Sequence, residues 1–162
     1  MARPALSDIE RKDAELIISR LVNTPLLKME SIHDARLRFV ESRTIRVFEK
    51  GESWGTASDD LPIYTLPQNE FFSLLRMTDN NIQVQIERFN FGLDRWFTLG
   101  ESHPPYFPWR IIMILSKCGE RDLEMRFLHA YCTHFFDGAR NGSKKDQLIV
   151  ERAIGKGAWD YW

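Results

Sequence analysis

Apolar and polar residues alternate with a period of two from Ile82 to Glu87, with Ile82, Val84 and Ile86 set against Gln83, Gln85 and Glu87. That alternation predicts a strand with one buried face. At Arg88 the phase shifts, and Phe89 and Phe91 fall where the polar residues were. Either a bulge re-aims the chain there, or the strand end is covered on its other side. Gly92-Leu93-Asp94 reads as a break and Arg95 to Leu99 as the returning strand. Two shorter alternating runs, Arg36 to Val40 and Thr44 to Phe48, predict a hairpin or a pair of short strands, and Pro62 to Thr65 a further one.

Elsewhere the period is helical. Ser7-Asp8-Ile9-Glu10 has the form of a capping box, opening a helix from Asp8 to Val22 whose apolar face is Ala14, Ile17, Ile18, Leu21 and Val22. Pro25 closes it by steering Thr24 away from helical geometry. Pro67 suits the first turn of a helix carrying Phe71, Phe72, Leu74 and Leu75. Pro108 can open an apolar segment running to Lys117 and broken by Gly119; for residues 110–116, helix and buried strand remain competing assignments. A longer helix is expected from Glu120 to Phe136, with Phe127, Leu128, Tyr131 and Phe135 inward, and a last one from a second capping box at Ser143 to about Ile154. The resulting expectation is an α+β fold: an N-terminal helix, an antiparallel sheet of four or five short strands with one inserted helix, and a C-terminal helical layer. Residues 1–154 form its single domain and residues 155–162 an aromatic tail.

Composition narrows the function classes. The chain of 162 residues is long enough to bury a core. Its 22 basic and 23 acidic residues nearly cancel, which argues against nucleic-acid binding by charge alone and leaves room only for a local basic patch. Two cysteines, Cys118 and Cys132, are too few for a disulfide framework and lie in apolar helical patterns, as inert buried thiols do. The longest strictly apolar run, Ile111 to Leu115, is too short to span a bilayer. No apolar signal core follows Arg3, so a cytoplasmic location without membrane contact is expected.

Few residues carry candidate chemistry. His129 and Cys132 lie about 60° apart on a helical wheel, but His134 points elsewhere, and two ligands do not make a metal site. No metal and no cofactor is therefore expected. Glu124 falls near the centre of an apolar arc, where a carboxylate has to be paired, neutral or at the edge of the core; it is the one candidate functional carboxylate. Arg36, Arg38 and Arg46, with Arg43 nearby, form the densest positive cluster; strand alternation places Arg36 and Arg38 on one face, a cationic strip that could bind phosphate or an acidic partner. Tyr106 and Trp109 sit in a proline-stiffened segment, either as a connector closing the core or as rings offered to a partner. Trp159, Tyr161 and Trp162 end the chain after two glycines and pose the same choice. No glycine-rich phosphate loop, nucleophile elbow, His-Glu-x-x-His or Cys-x-x-Cys occurs.

These features favour a non-catalytic protein-binding regulator or inhibitor of the immunity or antagonist type, with another protein as partner and a homodimer as a further option. Two alternatives stand beside it. The order helix, strands, helix, strand pair, helix resembles that of bacterial type III secretion chaperones, a resemblance that implies a dimer with a broad apolar groove; the helices after Gly119 depart from it. The other alternative is an enzyme with a dispersed site near Glu124.

Overall fold

A computed structural model describes residues 4–158. Among them are eight α-helices, one short 3-10 helix and no strand. In order they are α1 (Asp8–Asn23), α2 (Met29–Phe48), α3 (Trp54–Ala57), the 3-10 helix Pro62–Thr65, α4 (Gln68–Thr78), α5 (Ile82–Leu99), α6 (Tyr106–Lys117), α7 (Arg121–Arg140) and α8 (Lys144–Gly155). The α+β expectation is therefore overturned: no antiparallel sheet exists among the described residues. With it goes the element order that resembled the secretion chaperones.

The correction has a specific cause at each site. In α5 the buried residues Ile82, Ile86, Phe89 and Leu93 recur at i, i+4, i+7 and i+11, the stripe of an amphipathic helix. Val84 is only half-buried and Gln85 is buried, the reverse of what a strand requires. The phase shift at Arg88 is how a 3.6-residue period looks against a template of two. Gly92 is not a turn but an interior helical residue: a Cβ built on it would lie 2.7 Å from the Cβ of His103. α5 ends instead at Gly100, whose φ of +67° suits glycine. In α2 the more shielded positions, Ile32, Ala35, Phe39, Arg43 and Arg46, follow the same helical spacing, while strand alternation there was coincidental.

The two helices that open on a capping box begin where the sequence places them. At α1 the Glu10 amide donates to Ser7 Oγ at 3.2 Å and the Ser7 amide to Glu10 Oε2 at 2.9 Å. At α8 the Asp146 amide donates to Ser143 Oγ at 3.3 Å and the Ser143 amide to Asp146 Oδ2 at 3.0 Å. Each box satisfies two of the orphan donors at a helix start. Residues 110–116 are helical, settling that competition. α7 runs past Asp137-Gly138 to Arg140, farther than expected.

The described chain divides into two compact units. The first comprises residues 4–26, 80–90 and 104–158, and contains α1, the first half of α5, and α6 to α8. Its core is conventional. Ile17, Ile18 and Leu21 of α1, Ile82 and Phe89 of α5, Ile111, Ile112, Ile114 and Leu115 of α6, and Phe127, Leu128 and Tyr131 of α7 are all fully buried. Phe89 lies 5.9 Å from both Phe127 and Tyr131, and Phe135 extends the ring cluster 4.9 Å beyond Tyr131. Arg126 of α7 grips Glu15 of α1 with two bonds of 2.8 and 2.7 Å, a bidentate pair at the edge of this core.

Cys132 is buried in that core, and burial pushes its thiol up to about 12. Cys118 caps the end of α6 and is only half-buried. Native protein treated with iodoacetamide near pH 8 is therefore expected to be alkylated at Cys118 while Cys132 reacts only after unfolding, because the thiolate is the nucleophile. Peptide mapping that found the two equally labelled in the native state would contradict this placement.

The second unit, residues 27–79 and 91–103, holds α2, α3, α4 and the second half of α5. It has few buried apolar residues: Ile32, Ala57, Ile63, Leu93 and Leu99. Arginines fill the remaining space. Arg95 stacks over Phe39 at 4.6 Å and Phe91 at 5.6 Å, pairs with Glu101 at 3.1 Å, and donates to the Ser58 carbonyl. Arg43 lies 4.2 Å over Trp54 and 3.6 Å from Glu101. Arg46 donates to Asp59 at 2.8 Å and to the Thr56 carbonyl at 3.0 Å, and also pairs with Glu52. Guanidinium groups suit this work because they stack on rings with their faces and donate from their edges. Asp60 beside them has its carboxyl pushed above the ordinary range, by burial first and against the pull of Arg95.

Candidate functional site

α2 is a 20-residue helix with one buried residue, Ile32. Its inward side carries Phe39, Arg43 and Arg46 into the arginine network. On the opposite side stand four large apolar side chains: Leu37 is 56% exposed, Val40 42%, Ile45 38% and Phe48 80%. At 100° per residue these four span an arc of about 140° centred roughly opposite Arg46. The helix thus has two apolar faces but meets its own unit with only one. Scattered exposed apolar residues are ordinary; four on one stripe of one helix form a patch of the kind that marks a contact site.

The rim of this face is charged. Arg36 and Arg38 are both exposed, but being two residues apart on a helix they diverge by about 200° and stand on opposite flanks. Glu41 and Glu49 are exposed as well. A shallow groove of about 310 Å³ follows the Arg38 flank, lined by Arg38, Glu41, Ser42, Ile45, Arg46 and Lys50. Arg46 reaches the groove but is held on the inner side by its bonds to Asp59, Glu52, Thr56 and Ala57. The three arginines read as one cluster therefore serve three places: two flanks of the exposed face and the interior of the unit.

The other sequence candidates lie in the first unit or beyond the described residues. Trp159, Tyr161 and Trp162 lie outside the described residues. Tyr106 and Trp109 are half-buried in the first turn of α6, where Phe107 and Pro108 between them are buried, so residues 106–109 are helical rather than an extended polyproline stretch. Glu124 is 2% exposed. Arg152 of α8 donates to its Oε1 at 2.6 Å and Lys156 approaches Oε2 at 3.4 Å. Arg152 also donates to Ser116 Oγ at 2.8 Å, so its guanidinium ties α8 to both α6 and α7. A cleft of about 390 Å³ opens beside it, with Arg121, Lys156 and Ser116 in its wall. His129 meets the Ala158 carbonyl at 2.9 Å and His134 meets the Leu21 carbonyl at 2.6 Å; both line an open groove of about 360 Å³ with Val22, Pro25 and Leu26. Among the described residues no three His, Cys, Asp or Glu side chains are grouped to hold a metal ion. No helix among them is long and apolar enough to cross a membrane.

Leu37, Val40, Ile45 and Phe48 were not candidates from sequence. Their signal was present as spacings of three and eight residues within a helical run, but a strand reading assigns Leu37 and Phe39 to one buried side and so hides the exposed stripe. Comparison with known proteins finds no matching family model, no matching curated protein and no matching solved structure.

Proposed function

We propose that this chain is a non-catalytic protein-binding module of the regulator or inhibitor type, and that the outward face of α2 is its contact surface. One observation carries the reading: a 20-residue helix that spends one face on its own unit and leaves Leu37, Val40, Ile45 and Phe48 in solvent on the other. Exposed apolar side chains of this size gain most when a partner removes them from water. The charged flanks give such a partner orientation more than affinity. Phe48, the most exposed of the four, is the natural anchor, since large rings dominate contact energetics.

The test places a photo-crosslinking residue at Val40 and, as control, at Glu151 on the exposed side of α8. Under native conditions Val40 is expected to give a defined crosslinked protein species and Glu151 none. Phe48→Asp should abolish the Val40 product while leaving the circular dichroism melt unchanged, because that ring contributes little to the isolated fold. Equal yields at both positions, or a Val40 product indifferent to Phe48→Asp, would remove the basis of this assignment.

A further inference from the structure

The geometry points to a specific occupant: the outward face of α2 pairs with the same face of a second copy, antiparallel, about a two-fold axis passing between Ser42 and Arg43. This rests on reading that face as a contact surface. The four exposed apolar residues are symmetric in sequence about that point, since Leu37 and Phe48 lie equally far from it, as do Val40 and Ile45. In an antiparallel pair centred there, Leu37 comes level with the partner copy's Phe48, and Val40 with its Ile45. Leu37 and the partner copy's Phe48, each within about 10° of the centre of the stripe, then meet face to face, while Val40 and Ile45, about 70° off centre on opposite flanks, border these contacts on either edge. A two-fold pair of this kind is isologous, the commonest form of oligomer symmetry.

Charge selects the orientation. The two-fold axis of an antiparallel pair keeps each flank of one helix beside the same flank of the other. Arg38 and Glu49 share a flank, at about 90° and 110° from the centre of the stripe. Within one chain they are eleven residues apart, about 16 Å along the helix, and cannot meet. Across the axis, Arg38 falls about 3 Å in axial height from the partner copy's Glu49, and both side chains lean toward each other because helical side chains tilt toward their own N-terminus. Neither has an ion-pair partner among the described residues. A parallel pair would instead bring Arg38 beside the partner copy's Arg36, joining like charges at both edges. One feature opposes the antiparallel pair: Glu41 lies near the axis on the Arg38 flank, so the two copies of Glu41 face each other and weaken it.

The contact is one helix wide and falls below the roughly 1,200 Å² of a standard interface, so a dissociation constant on the order of 10–100 μM is expected. Sedimentation velocity on the full chain, from about 5 to 500 μM, spans that range on both sides. A monomer–dimer equilibrium should appear. Phe48→Asp should weaken it by at least about tenfold. Arg38→Glu should weaken it about threefold to tenfold, and the doubly reversed Arg38→Glu/Glu49→Arg variant should recover it, since the pair is only exchanged. Glu41→Gln should tighten it about twofold to threefold. Melting curves establish that each variant folds. A chain monomeric at every concentration overturns the pairing, as does a dimer indifferent to Phe48→Asp. A dimer lost on Arg38→Glu and not rescued by the second reversal overturns the antiparallel register. If the chain stays monomeric while the Val40 crosslinker captures a different protein in a Phe48-dependent manner, self-pairing fails and the binding-module reading stands. If neither occurs, both fail.

Discussion

Phe127→Ala is expected to destabilise the first unit by about 3–5 kcal/mol. The residue is fully buried, and its ring lies 5.9 Å from Phe89 and 6.2 Å from Tyr131. Truncation removes the transfer energy of the ring and leaves a void whose walls are themselves rigid rings, Phe89 on α5 and Tyr131 on the same helix. Such a site relaxes poorly, so the cavity contribution should be near the top of its range. Urea denaturation followed by far-ultraviolet circular dichroism measures the loss. A change below about 1 kcal/mol would mean that the ring does not sit in a close-packed centre.

How much of this arrangement can be read from sequence depends on how strongly local signals constrain each segment. The capping boxes at Ser7 and Ser143 are legible because each is a reciprocal pair of bonds encoded within four residues. The inward face of α7 is legible because Phe127, Leu128, Tyr131 and Phe135 repeat with helical period over a long run and few other patterns fit them. α5 is misread because Ile82, Val84 and Ile86 satisfy two periods at once. What separates the two is Phe89 and Leu93, which continue the helical stripe and cannot continue the strand without a bulge and a break. When two irregularities are needed to save an alternating pattern, the helical period is the simpler account.

α2 fails for a different reason. Its inward face is built partly from arginines, Arg43 and Arg46, which a hydrophobicity pattern counts as solvent-facing. Its outward face is built from Leu37, Val40, Ile45 and Phe48, which the same pattern counts as core. Both faces depart from the rule that apolar residues lie inside, the inward one through the arginines set beside Ile32 and Phe39, and alternation over five residues then looks like the better fit. A local rule broken on both sides of one helix is where function is to be sought, because an isolated unit gains nothing from an exposed phenylalanine. The same departure explains why Arg36, Arg38 and Arg46 look like one cluster in sequence and occupy three environments in the fold.

Glu124 shows where sequence reasoning locates a residue but not its partner, and it carries the other large expected effect. The carboxylate is buried on α7 and takes one short bond from Arg152 and a longer contact from Lys156. Arg152→Met removes the short bond, the companion bond to Ser116 and the nearer positive charge, while Glu124 remains out of water. Breaking a buried pair on one side costs about 3–5 kcal/mol, because the remaining charge is uncompensated. Lys156 stays in place at 3.4 Å, so the lower half of that range is expected. The reverse change should be milder: after Glu124→Leu, Arg152 can turn its partly exposed guanidinium to solvent, and the buried site receives an apolar side chain of fitting size. The double variant Glu124→Leu/Arg152→Met should therefore recover most of the stability lost by Arg152→Met, as apolar replacements of buried ion pairs often do. Chemical denaturation of the three variants measures these differences. An Arg152→Met cost below about 1 kcal/mol would show that Glu124 reaches water or a second cation, and the pair would not be the tie between α7 and α8. A stable double variant also separates anchoring from chemistry: if it keeps every binding property of the parent chain, Glu124 serves the fold, and the outward face of α2 is left to carry recognition.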